Sequence, residues 1–94
     1  MTITARKILE YLRQRRMGQG ASTDDPAGWT GGYQIMAALR LDEAEYLREA
    51  QVLSEEGYIE SGVDGPGAEI NSTNMAVRIT PVGMDALAAT EKKA

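Results

Sequence analysis

The chain has 94 residues and a formal net charge of −4, with no Cys and no His. Missing thiols exclude a disulfide framework and a thiolate metal site, and missing imidazoles remove the commonest metal ligand and general base. Apolar residues make up 43 % and charged residues 26 %, so a single domain over 1–94 with one core is expected, with little room for a deep pocket.

The first helix is expected over residues 3–16. Ala5, Ile8, Leu9 and Leu12 recur at helical spacing and the charges lie opposite. Thr2 or Thr4 is placed to cap its start. Charges interrupt the apolar residues of the opening MTITARKILEYLRQRR, so it does not read as a signal peptide. No run approaches the roughly 18 apolar residues of a membrane span. A cytoplasmic protein of bacterial or phage type, with no membrane partner, is expected. Arg13, Arg15 and Arg16 crowd the last turn, where the helix dipole favours cations. A sharper reading makes them, with Arg6 and Lys7, a patch for phosphate or an acidic partner.

Residues 17–32, MGQGASTDDPAGWTGG, hold five of the ten glycines, Pro26 and the only Trp. A long loop is expected, of a length that is uncommon in compact domains. Trp29 is expected to cover one edge of the core, with an exposed anchor for a partner as the alternative. Asp24-Asp25 reads as a turn or cap rather than a metal site. The second helix is expected from Tyr33 to Arg40, capped by Thr30, with Ile35, Met36 and Leu39 on its buried face. After a tight turn at Leu41–Asp42, a third helix runs from Glu43 to about Glu56. Asp42 caps it, Tyr46, Ala50 and Leu53 form its inner stripe with Leu47 beside it, and Gly57 ends it.

Tyr58-Ile59-Glu60 predicts a short strand, 61–75 a Gly- and Asn-rich excursion, and Ala76–Thr80 the returning strand. Thr80 caps a last helix with Pro81 at its first position. That helix runs to about Thr90 and buries Val82, Met84 or Leu87; Glu91–Ala94 is expected to fray. Asn71-Ser72-Thr73 fits the glycosylation pattern, but nothing else in the sequence points to secretion. No internal repeat is present.

Charge is unevenly spread. Residues 1–20 carry five cations against Glu10, a net +4, and residues 42–69 carry nine acids against Arg48, a net −8. Such separation bears on partners more than the total does.

Two phrases carry a family resemblance. One is LREAQVLSEEGYI, residues 47–59, and the other is RITPVGMDAL, residues 78–87. With the element order, they make the chain similar to the winged helix-turn-helix superfamily. It looks closest to small winged-helix proteins of phage and prophage regions and to MarR-like and PadR-like regulators. The resemblance covers nearly the whole chain. It implies an α+β, mostly α fold: a three-helix bundle with a helix-turn-helix, a two-stranded β wing with its loop at 61–75, and a short C-terminal helix. It further implies that the third helix enters the major groove of double-stranded DNA and that the wing touches the minor groove or backbone.

The expected function is therefore that of a DNA-binding-type protein, a transcriptional regulator. Arg48 is the candidate base contact, Arg6, Lys7, Arg13, Arg15 and Arg16 are phosphate contacts, and Asn71 and Asn74 are hydrogen-bonding wing residues. The outward positions of the third helix are Glu43, Glu45, Arg48, Glu49 and Val52, three of them acidic, and 61–75 has no Lys or Arg. Phosphate contacts need cations. The alternative is a winged-helix protein-interaction module that uses Glu45, Glu49 and Trp29 against a basic surface on another protein. A further candidate for that surface is the first helix of a second copy, giving a homodimer. An enzyme ranks last, with no catalytic residue, cofactor or metal expected.

Overall fold

The computed structural model describes residues 1–17, 28–62 and 65–92. It is an α+β arrangement, mostly helical, of four helices around a small antiparallel sheet. Asp24-Asp25 and residues 93–94 of the end expected to fray lie outside the described residues, as do 18–27 of the expected long loop. No helix among the described residues is long and apolar enough to cross a membrane.

Helix α1 spans Ile3–Arg16. Thr2 rather than Thr4 is its cap, accepting from the Ala5 N–H at 3.0 Å. Ala5, Ile8, Leu9 and Leu12 are buried, and each Ile or Leu removed from water stabilises by about 1.5–3 kcal/mol. This stripe meets Ile35, Tyr46, Ala50, Leu53, Ile59, Val77, Ile79 and Leu87 in one core.

Strand β1 is Thr30–Gly31, and helix α2 is Gly32–Leu39. Thr30 is not a helix cap. Gly31 occupies that position without a side-chain hydrogen bond, and Thr30 pairs with Val77 in the sheet. A Cβ at Gly32 would stand 2.6 Å from the Thr73 carbonyl oxygen and 2.9 Å from Tyr46 Cε2. The glycine therefore lets α2 start against α3 and the 61–75 segment, which has priority over cap chemistry. Arg40 makes the turn to the next helix in the left-handed conformation, φ 57°.

Helix α3 is Glu43–Glu55, capped by Asp42, which accepts from the Glu45 N–H at 2.7 Å. Tyr46, Ala50, Leu53 and Ser54 are its buried residues. Its end follows the left-handed glycine pattern. Gly57 takes φ +78°, its N–H donates to Ser54 O, and the Tyr58 N–H donates to Leu53 O.

Strands β2 (Ile59–Ser61), β3 (Gly65–Pro66) and β4 (Ala76–Ile79) complete a sheet of order β1-β4-β2-β3. Two strands were expected and four are present among the described residues, because β1 and β3 are two-residue pieces too short to leave a periodic pattern. Along β4, Val77 and Ile79 face the core while Ala76 and Arg78 face outward. The expected excursion at 61–75 is not all solvent-facing, since Ala68, Ile70 and Thr73 are buried. Side chains of α3 fasten it. Ser54 Oγ donates to Ala68 O at 2.6 Å, and Gln51 Oε1 accepts from the Ile70 N–H at 2.7 Å.

Helix α4 is Pro81–Lys92. Thr80 caps it, accepting from the Gly83 N–H at 3.0 Å, and its hydroxyl donates to Gly57 O at 2.6 Å. Leu87 is buried and Met84 partly so, but Val82 is 55 % exposed and contributes nothing to the core. The helix passes Thr90, because Glu91 is held by Arg13.

Candidate functional site

Two surfaces were expected to carry function, the basic run of α1 and the outward face of α3. The fold treats them differently.

Three of the five α1 cations are turned onto the protein. Arg13 grips Glu91 with two parallel hydrogen bonds of 2.7 and 2.9 Å, tying α1 to α4. That bond raises the Arg13 pKa and lowers the Glu91 pKa. Arg15 Nε donates to the Thr30 hydroxyl at 2.8 Å, and Thr30 in turn donates to Gly28 O at 3.0 Å. Arg16 donates to the Ile79 carbonyl at the end of β4. Arg6 pairs along the helix with Glu10 at 3.1 Å, and Lys7 is exposed.

Trp29 lies over the outer face of the sheet. The Arg78 guanidinium sits 4.4 Å from its ring centroid, and Arg78 pairs with Glu60 directly across the strands. Trp29 is thus half-buried against Arg78 on the side of the sheet away from the core, and not over a core edge as expected. Asn71 and Asn74 are exposed on a segment whose backbone is anchored, the Tyr33 N–H donating to Thr73 O at 3.2 Å.

The α3 face is different. Glu43 and Arg48 are exposed, and Glu45 and Glu49 are partly so. Among the described residues, none of the α3 carboxylates makes an ion pair. Glu49 accepts a hydrogen bond from the Thr2 hydroxyl at 2.8 Å, and Glu55 one from Gln51 at 3.2 Å. Inward of this face, Tyr46 is fully buried and burial pushes its pKa to about 12. It is neutral at physiological pH and packs as a core side chain.

Beside the face runs a groove of about 590 Å³ between the start of α1 and the second half of α3. Ala5, Leu53 and Tyr58 line its inner part, and Met1 and Val52, 58 % and 47 % exposed, line its outer part. Thr2, Arg48, Glu49 and Glu56 supply its polar edge. In the sequence the groove has one local signal, Val52, an apolar residue in the outward series of α3. Its partner walls come from residues some 50 positions away in the chain, which no local pattern reports.

Among the described residues, no group of three or more His, Cys, Asp or Glu is arranged to hold a metal ion. The chain matches no protein-family model, no curated protein and no solved structure.

Proposed function

We propose that the protein is a winged-helix interaction module that recognises a basic surface on another protein through the exposed side of α3. The element order and the phrases 47–59 and 78–87 support the winged-helix part of this reading. One observation carries the rest. The face that would meet DNA presents Glu43, Glu45 and Glu49 around Arg48, while Arg13, Arg15 and Arg16 each hydrogen-bond to another element of the fold. A duplex carries a dense row of phosphates, and affinity for it comes from unengaged Lys and Arg. Unpaired carboxylates favour a cationic partner.

A second reading, a DNA-binding transcriptional regulator, is favoured by the exposure of Arg48 on the helix that follows the α2–α3 turn. Lys7, Arg6, Asn71 and Asn74 would then be its remaining polar contacts. Titration of the protein with random-sequence duplex DNA at rising salt separates the two. Absence of binding at low salt is expected. An affinity that falls steeply with salt would overturn the interaction reading. In that event Arg48→Ala would be expected to cost about 1–3 kcal/mol and to relax specificity.

A further inference from the structure

We draw no further inference here: the strongest candidate, the apolar groove between the start of α1 and the second half of α3, carries nothing because nothing in the structure shows what covers it.

Discussion

Helix α1 ends in Arg13, Arg15 and Arg16, and α3 carries Glu43, Glu45, Glu49 and Glu55 on its solvent side. In sequence both are plain charge clusters. In the fold, the three arginines hold α4, β1 and the end of β4 to α1, whereas the α3 carboxylates make no ion pair among the described residues. A run of like charge is therefore not a binding surface until its side chains are shown to be unengaged. The long guanidinium arms cross to neighbouring elements, whereas the α3 carboxylates, with Arg48 among them, stay directed to solvent without an ion pair among the described residues.

The sharpest way to break this comparison is at Arg16. If its role is to satisfy the Ile79 carbonyl, Arg16→Ala should destabilise by about 2 kcal/mol, the usual loss for a hydrogen bond from a charged donor. Denaturant unfolding measures it. A variant as stable as the parent would return Arg16 to the pool of free cations and revive the phosphate patch. Thr30→Val comes next. It removes the acceptor for Arg15 and the donor to Gly28 O from a fully buried site, and a loss of about 1–2 kcal/mol is expected.

Reversal of charge on the other helix should read differently. Glu45→Lys with Glu49→Lys is expected to change stability by less than about 1 kcal/mol, mainly through the helix dipole at Glu45 and the lost bond from Thr2. The same pair should abolish capture of a basic partner. Equal stability with binding intact would place the interface away from α3.

The smallest effect concerns Arg13 and Glu91, and it is a matter of pH. The Arg13 hydrogen bond holds the Glu91 carboxyl below its ordinary range. A carboxyl lowered in the folded state stabilises above its unfolded pKa and loses that contribution as pH falls through the lowered folded value. Glu91→Gln should therefore be slightly less stable than the parent at neutral pH, and the difference should close under acid conditions. Thermal unfolding of both proteins across the carboxylate range would show it, and a pH-independent difference would mean that the pair contributes nothing.

Much of the secondary structure was legible because its causes are local. The α1 stripe, the Asp42 cap, the Gly57 turn and the Thr80-Pro81 start all depend on residues within a few positions of each other, and each stands where expected. Thr30 was misread because its cap chemistry was real but the competing strand pairing with Val77 lies far along the chain. Among Val82, Met84 and Leu87 the sequence leaves the choice open, because an apolar residue in the first turn of a helix has no label for which side the core is on; Leu87 is the buried one. Ile70 sits among Gly, Asn and Ser, and its burial depends on Gln51 and Ser54 of a different element.

The residues by themselves determined the helix positions, the Asp42 and Thr80 caps, the inner stripes of α1 and α3 and the separation of a basic start from an acidic middle. Those properties follow from spacing, backbone preference and formal charge, all short-range. Only the tertiary structure decided which charges are engaged, how 65–75 lies against α3, and that Met1 and Val52 share a groove. Those outcomes depend on contacts between elements remote in sequence. They are set by the core packing as a whole, and no local pattern encodes them.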